Sequence, residues 1–124
     1  MTQPYSIVSV EDDTGLFDLI KLTLKNFPAQ LYHAKTGAEA LELIPKVNAD
    51  VVIMDITLPD IQGWDVLKTL TKHDVDLKSV IILTGRTDPA HRVMAHFQDV
   101  TAFINKPFQP AELRSVIQKA LKLP

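Results

Sequence analysis

Side chains that could bind a cation or a phosphoryl group follow four short apolar runs of the sequence. They are Glu11, Asp12 and Asp13 after residues 7–10, Asp55 after 51–54, Thr84 after 80–83 and Lys106 after 101–104. Carboxylates that lie close together repel one another, and each raises the pKa of its neighbours. A hard divalent cation such as Mg²⁺ relieves this repulsion because it prefers oxygen ligands. If the four runs end at one place, the sequence therefore predicts a cation site with a lysine beside it.

Asp55 is the candidate nucleophile at such a site. A phosphoryl oxygen can complete the shell of a bound cation, and Asp55 could then attack the phosphorus and form an aspartyl phosphate. The cation and Lys106 would neutralise charge on the transferred group, and positioning would supply most of the remaining rate. The Thr84 hydroxyl could donate a hydrogen bond to the product.

The elements that must position these residues alternate between two hydrophobic periods. Strand-like runs occur at 7–10, 30–34, 51–54, 80–83 and 101–104, and helical spacing occurs at about 14–26, 36–44, 64–71, 88–97 and from 110 onward. Thr36 and Glu39 have the spacing of a capping box, and Asp88 before Pro89 is a favourable helix start. Five βα units in a row predict a parallel sheet with helices on both faces.

Polarity predicts the order of the strands. The first, third and fourth runs are the most uniformly apolar and should be central, whereas the second and fifth contain polar residues and should be edges. The result is the order 2-1-3-4-5 of a flavodoxin-like, doubly wound α/β fold with five helices, formed by one domain over residues 1–124. Ligands bind such sheets at the carboxyl ends of the strands, near the switch between strands 1 and 3. Up to four carboxylates, one hydroxyl and one ammonium group would meet there.

Composition limits the class of protein. The chain has 124 residues, a net charge of −2 and no basic stripe, so direct nucleic-acid binding is not expected. It has no cysteine, which excludes disulfides, thiolate metal sites and cysteine nucleophiles. No apolar run approaches the roughly 20 residues of a membrane span, and the N-terminus lacks the pattern of a signal peptide. We therefore expect a cytoplasmic protein without a membrane segment.

Each group of reactive side chains also has a purely structural interpretation. An acidic cluster is favourable at a helix N-terminus because of the macrodipole, a carboxylate before Pro59 fits a turn, and a threonine at a strand end is common. The histidines show no metal-ligand spacing, and we interpret all four as solvated or structural: His33, His73, His91 and His96.

Together the four motifs resemble those of the response-regulator receiver family, and the resemblance covers essentially the whole chain. The matching segments are Val10-Glu11-Asp12-Asp13, Met54-Asp55-Ile56-Thr57-Leu58-Pro59-Asp60 with Gly63, Leu83-Thr84-Gly85 and Phe103-Ile104-Asn105-Lys106-Pro107-Phe108. Any one of these segments is weak alone. Four of them in order, each at a predicted strand end, are specific.

The resemblance implies a phosphorylated signalling switch that catalyses only its own phosphorylation and dephosphorylation. Asp55 would accept a phosphoryl group from the phosphohistidine of a sensor histidine kinase or of a histidine phosphotransfer protein. The implied ligands of Mg²⁺, or of Mn²⁺ in its place, are Glu11, Asp12, Asp55 and the backbone carbonyl of Thr57. Thr84 and Lys106 would contact the phosphoryl group, and Asp13 is assigned to the cap of the first helix.

The resemblance also implies how the signal leaves the site. Phe103 matches the aromatic switch position, which turns inward when Thr84 moves. The surface formed by the fourth helix, the fifth strand and the fifth helix would then change and control an output domain or a downstream partner. A homodimer is a further possibility. The bond between Lys106 and Pro107 matches the family's cis peptide.

Three features depart from the common family pattern. Arg86 lies two residues after Thr84, at a variable position that we assign, together with Thr57, to tuning the lifetime of the phosphoryl group. The stretch 97–100 lacks the glycine that usually follows the fourth helix, which bears on the length of that helix. Trp64 is a bulky residue near the site entrance.

Three other functions fit parts of the pattern. A phosphatase of the haloacid dehalogenase type also forms an aspartyl phosphate, but it has a second Asp two residues after the nucleophile, where this chain has Thr57. A flavodoxin-like cofactor module needs a Ser, Thr or Gly loop after the first strand to cradle a phosphate, and the acidic triplet there would repel one. A degenerate receiver that takes no phosphate is not expected, because all four reactive groups are present.

Overall fold

The computed structural model describes residues 3–85, 94–95 and 100–124, which form alternating strands and helices joined by loops. The strands are β1 (Tyr5–Val10), β2 (Ala29–Ala34), β3 (Val51–Met54), β4 (Val80–Thr84) and β5 (Ala102–Asn105). The helices are α1 (Thr14–Thr23), α2 (Gly37–Val47), α3 (Gly63–Lys72) and α4 (Pro110–Ala120). All strand pairs are parallel and the sheet has the order β2-β1-β3-β4-β5. The predicted doubly wound α/β fold is therefore confirmed.

Four of the five predicted helices lie within the described residues, and α4 is the one predicted as the fifth. The helix predicted at 88–97 lies outside them, apart from Met94 and Ala95, which are helical. The stretch 97–100, which lacks the usual glycine, also lies outside the described residues except for Val100. The expected effect on the length of that helix therefore stays a prediction. No helix of the described residues has both the length and the apolar character needed to cross a bilayer.

Two helices end at different residues from those predicted. α1 ends at Thr23 rather than near residue 26, because the chain turns at its C-cap, Leu24. α2 continues past Pro45 instead of ending before it, since a proline in the last turn removes only one hydrogen bond. Asn48 then ends the helix in the left-handed region, at φ 52°.

The hydrogen bonds between strands bring the predicted site residues to one end of the sheet. The Asp55 amide donates to the Val10 carbonyl at 3.1 Å, and the Lys106 amide donates to the Thr84 carbonyl at 2.8 Å. The Glu11 amide likewise donates to the last carbonyl of β2 at 2.9 Å. The sheet therefore fixes the backbone of three site residues directly beyond their strands.

Alternate residues of each strand pack on opposite faces of the sheet, as a period of two requires. In β1, Val8 and Val10 belong to the core under α2 and α3, whereas Ile7 belongs to the core under α1 and α4. Every residue of β3 and β4 is buried. Burial on both faces is typical of central parallel strands, in agreement with the order predicted from polarity.

Ser9 is a buried residue of β1 whose hydroxyl has no hydrogen-bond partner within the described part of the chain. On folding, this hydroxyl loses water and gains nothing in return. We expect Ser9→Ala to raise the free energy of unfolding by about 1 kcal/mol, measured by urea denaturation. Thr23→Val is the matched control, because the buried Thr23 hydroxyl donates to the Leu19 carbonyl at 2.7 Å and its removal should bring no gain. A Ser9→Ala variant no more stable than wild type contradicts this prediction.

Gly63 allows the start of α3 to approach the end of β3. A Cβ atom there would lie 2.7 Å from the Asp55 carbonyl oxygen and 3.1 Å from the Ile56 Cα. Because both are backbone atoms that cannot move aside easily, we expect Gly63→Ala to lower the free energy of unfolding by about 2 kcal/mol. Gly15→Ala in α1 is the control, since its Cβ would meet only the Asp13 carboxylate, at 3.3 Å, and alanine favours the helix. Urea denaturation should show a lower unfolding free energy for Gly63→Ala and a higher one for Gly15→Ala, each relative to wild type. If Gly63→Ala is as stable as Gly15→Ala, the steric argument is wrong.

Candidate functional site

The loop between β1 and α1 holds its acidic residues in different environments. Glu11 is buried, with 3% of its surface exposed, whereas Asp12 and Asp13 are exposed. Asp13 is the N-cap of α1, and its Oδ1 accepts a hydrogen bond from the Leu16 amide at 3.1 Å. Asp13 is therefore occupied as a helix cap, and the other three of the four predicted carboxylates, Glu11, Asp12 and Asp55, remain to form a site.

Lys106 joins the two buried carboxylates. Its Nζ donates to Glu11 Oε1 at 2.9 Å and to Asp55 Oδ2 at 2.8 Å. The second oxygen of Asp55, Oδ1, accepts from the Thr57 amide at 3.1 Å. The peptide bond between Lys106 and Pro107 is cis. The fold thus brings residues from the ends of β1, β3 and β5 into direct contact.

Burial governs the electrostatics of this contact. It raises the pKa of the Glu11 carboxyl above its usual value, although the hydrogen bond and charge of Lys106 act in the opposite direction. Burial alone would lower the pKa of the Lys106 ammonium, but the hydrogen bonds and charges of Asp55 and Glu11 outweigh it, so this pKa is raised. Lys106 is therefore charged at neutral pH. Within the described part of the chain, one ammonium group faces two buried carboxylates, which leaves this part of the site short of positive charge.

Three carboxylates are arranged as potential metal ligands. Glu11, Asp12 and Asp55 each offer one oxygen, and these three atoms lie within 4.8 Å of one another. Carboxylate oxygens suit Mg²⁺ and Mn²⁺, and the single ammonium of Lys106 offsets only part of their charge. The ligand types and the charge of the site therefore both fit a divalent cation.

Four further residues singled out from the sequence lie in the sheet, at the start of a helix or outside the described part of the chain. Thr84 is the fully buried last residue of β4, and Phe103 lies half-buried in β5 against the core under α2 and α3. Trp64, expected near the entrance, is buried in the same core at the start of α3. Arg86 lies outside the described residues, so its assignment to phosphoryl lifetime stays a prediction.

Sequence reasoning missed two contacts of the site. The His33 ring nitrogen Nε2 lies 2.6 Å from the Glu11 carbonyl oxygen, although the sequence indicated only a solvated or structural histidine. Its place in a strand adjacent to β1 was the one available signal. Asp60 belongs to a motif that the sequence identified, but nothing in the motif showed which amides it would bind.

Asp60 connects the loop after β3 to the N-terminus of α2. Its Oδ1 accepts from the Gly37 amide at 2.8 Å, and its Oδ2 accepts from the Ala38 amide at 2.9 Å. These hydrogen bonds lower the pKa of the Asp60 carboxyl below its usual value. A charged carboxylate at this position also complements the helix macrodipole.

We expect Asp60→Asn to lower the urea midpoint at pH 7, because the amide accepts at one oxygen only and carries no charge. The folded pKa lies below the unfolded value, so this stabilisation is complete above an unfolded pKa of about 3.9. It is lost as the pH falls through the folded pKa, and the two midpoints should converge on acidification. Glu42→Gln, on the exposed face of α2, should leave the midpoint unchanged at pH 7. A difference for Asp60→Asn that persists at low pH rules out the carboxylate as its source.

Comparison with known proteins identifies a family for the chain. A family model described as "Response regulator receiver domain" matches residues 7–118. The regulatory protein VanR of Enterococcus faecium is 31% identical over 116 residues, which cover 94% of this chain and 49% of VanR. The non-phosphorylated HemR receiver domain of Leptospira biflexa superposes with a TM-score of 0.86 and 30% identity, covering 97% of this chain and 96% of the other.

A third similar protein extends the range of organisms. The CheY-like response regulator receiver domain protein of Methanospirillum hungatei has a TM-score of 0.87 and 28% identity, with 96% of this chain and 94% of the other covered. The chain spans about half the length of the curated relatives it matches. The likeness therefore concerns one part of those longer proteins.

Proposed function

Because the chain belongs to the response regulator receiver domain family, we propose that it is a phosphorylation switch of two-component signalling with Asp55 as the phosphoryl acceptor. The donor is the phosphohistidine of a sensor histidine kinase or of a histidine phosphotransfer protein. The reaction depends on Mg²⁺, for which Mn²⁺ can substitute. The chain catalyses only its own phosphorylation and dephosphorylation.

The contact between Lys106 Nζ and Asp55 Oδ2, at 2.8 Å within a cluster of three carboxylates, is the observation that carries this proposal. An ordinary surface ion pair consists of one carboxylate and one cationic side chain, without further carboxylates beside it. Among the described residues, a buried acceptor and two more carboxylates share a crevice with one ammonium group, so negative charge is in excess. A divalent cation would offset that excess, and a phosphoryl oxygen could complete the shell of the cation.

The transfer is a displacement at phosphorus. An Asp55 carboxylate oxygen attacks, a P–O bond forms and the P–N bond to the donor imidazole breaks. The electron pair of the broken bond stays on the imidazole nitrogen. Bound Mg²⁺, held by Glu11, Asp12, Asp55 and the Thr57 carbonyl, would neutralise the charge of the phosphoryl oxygens.

The chain's own residues orient the acceptor and receive the product. The Thr57 amide, 3.1 Å from Asp55 Oδ1, holds one carboxylate oxygen in place. Lys106 turns from Asp55 Oδ2 to a phosphoryl oxygen, and the Thr84 hydroxyl donates to another. Positioning and charge neutralisation account for the acceleration.

Phosphorylation then changes a surface of the domain. Thr84 and the loop after β4 close toward the new charge, and Phe103 turns inward behind them. The surface of β5, α4 and the helix predicted at 88–97 thereby controls an output domain or a separate partner, and could join two copies in a dimer. Thr57 and Arg86 tune the lifetime of the phosphorylated state. We place the protein in the cytoplasm, with no direct contact of this chain to nucleic acid or membrane.

Intact mass after incubation with acetyl phosphate and Mg²⁺ tests the proposal. We expect a gain of about 80 Da, the mass of one phosphoryl group, and its disappearance with EDTA. No gain, together with no Mg²⁺-induced change in the fluorescence of Trp64 or in amide NMR shifts, would overturn the proposal. A gain that persists with EDTA would place the modification elsewhere.

The phosphatase alternative is disfavoured by the residue two positions after Asp55. A haloacid dehalogenase phosphatase needs a carboxylic acid there, and the chain has Thr57, whose amide donates to Asp55. We therefore expect slow loss of the phosphoryl group and no turnover of small phosphate esters.

A further inference from the structure

His33 connects β2 and α1 to the acidic loop. Its Nε2 lies 2.6 Å from the Glu11 carbonyl oxygen, and its ring stacks on the Phe17 ring with centroids 3.8 Å apart and planes inclined by 4°. A carbonyl oxygen only accepts hydrogen bonds, so Nε2 carries the proton. The ring is thus held by one hydrogen bond and one aromatic contact.

The hydrogen bond between His33 and Glu11 lies directly beyond the last hydrogen bond between β1 and β2. β2 stops at Ala34, whose carbonyl still accepts from the Glu11 amide at 2.9 Å. The chain then leaves the sheet toward α2, and the Lys35 amide donates to the Glu39 side chain at 3.3 Å. The Glu11 carbonyl therefore lies beyond the last ladder bond, and a backbone carbonyl near a buried site needs a donor. The His33 ring supplies it.

The bond fixes the peptide unit that joins the two acidic residues. The Glu11 carbonyl belongs to the same planar group as the Asp12 amide. With the Glu11 amide bound to β2 and its carbonyl bound to His33, the backbone of this residue is held on both sides. The directions in which the Glu11 and Asp12 carboxylates leave the backbone are then restricted.

We propose that His33 is a positioning residue of the cation site, acting through the Glu11 carbonyl and braced by Phe17. It touches neither the cation nor the phosphoryl group. Residues that orient metal ligands commonly contribute 10- to 100-fold in metal affinity. The inference rests on the proposed function, because it assumes that Glu11 and Asp12 hold Mg²⁺.

Three variants separate the hydrogen bond from the stack. His33→Phe keeps an aromatic ring against Phe17 but has no donor, whereas His33→Gln keeps a donor nitrogen at a similar reach but has no ring. Phe17→Leu removes the brace only. We expect His33→Phe to weaken Mg²⁺ binding about 10-fold, measured from the amide NMR shifts of Asp12 and Asp13, and His33→Gln to recover most of the loss. Phe17→Leu should lie between His33→Phe and wild type.

Phosphorylation by acetyl phosphate provides a readout that a purely structural role would not give. We expect His33→Phe to raise the Mg²⁺ concentration for half-maximal rate while the rate at saturating Mg²⁺ stays near that of wild type. In the wild-type protein, long-range ¹H–¹⁵N spectra should show the His33 proton on Nε2. Urea denaturation of each variant at matched conditions confirms that the folded form is being compared.

The outcomes distinguish the inference from the function on which it rests. If wild type neither binds Mg²⁺ nor takes up a phosphoryl group, the proposed function fails. If wild type does both and His33→Phe has the same Mg²⁺ affinity, or His33→Gln is as weak as His33→Phe, only the positioning role fails. A proton on Nδ1 rather than Nε2 would also overturn that role.

Discussion

Asp55→Asn is expected to abolish phosphoryl uptake completely. The amide has no carboxylate oxygen to attack phosphorus, although it matches the carboxylate in size, and its one oxygen can still accept from the Thr57 amide, as Asp55 Oδ1 does. The intact mass after incubation with acetyl phosphate and Mg²⁺ should therefore equal that of the untreated variant. Because the shape of the site is kept, the loss would reflect chemistry and not unfolding.

Asp13→Asn is the matched control for this experiment. It removes a carboxylate from the loop that carries the acidic pair, but Asp13 points to the Leu16 amide as a helix cap, and asparagine caps equally well. Asp13→Asn should take up one phosphoryl group. Uptake by Asp55→Asn, or its loss in Asp13→Asn, would show that the acceptor has been assigned wrongly.

Lys106→Met is expected to lower the free energy of unfolding by about 3 kcal/mol at pH 7 without divalent cations. The reason is that Glu11 and Asp55, 3% and 8% exposed, would lose the one counter-charge that the described residues place between them. Excess Mg²⁺ should restore part of the loss, because a cation bound to the same carboxylates supplies charge. Urea denaturation with and without Mg²⁺ measures both effects.

The pH dependence of Lys106→Met provides a second test. The pKa of Glu11 is already raised by burial, and it should rise further once the opposing influence of Lys106 is removed. A carboxyl whose folded pKa lies above its unfolded pKa destabilises the folded state when it is ionised, and this cost disappears when it is protonated. The difference in unfolding free energy between Lys106→Met and wild type should therefore shrink as the pH falls from 7 toward 5. Lys68→Met, on the exposed side of α3, should show no deficit at either pH. A deficit independent of both Mg²⁺ and pH would point to lost packing instead of charge.

The fold and the position of the site could be predicted from the sequence because both depend on local pattern. The uniformly apolar runs that became β3 and β4 identify the central strands, and the reactive side chains follow such runs directly. Once the strands are parallel, the residues after them share one end of the sheet. Asp55 and Lys106 could therefore be placed together although they are 51 positions apart in the chain.

Other features of the site depend on geometry that no local pattern carries. The cap of α1 by Asp13 came from the family resemblance and is confirmed, but the residue pattern alone left it open, because the backbone of one loop directs this side chain to the Leu16 amide. The contact of His33 with Glu11 depends on the register between β1 and β2 and on where β2 leaves the sheet. The end of α2 depends on Asn48 adopting a left-handed conformation, which the proline before it does not reveal.

The ion pair between Lys106 and Glu11 joins residues 95 positions apart in the chain. Glu11 follows the first strand to be synthesised and Lys106 follows the last, β5, which is an edge strand. A chain that has folded only through β4 would contain all three carboxylates of the cluster without Lys106, which pairs with two of them. Under the proposed function, phosphoryl transfer to Asp55 would therefore need the complete sheet, and a molecule whose fifth strand has not yet paired would not respond to the donor.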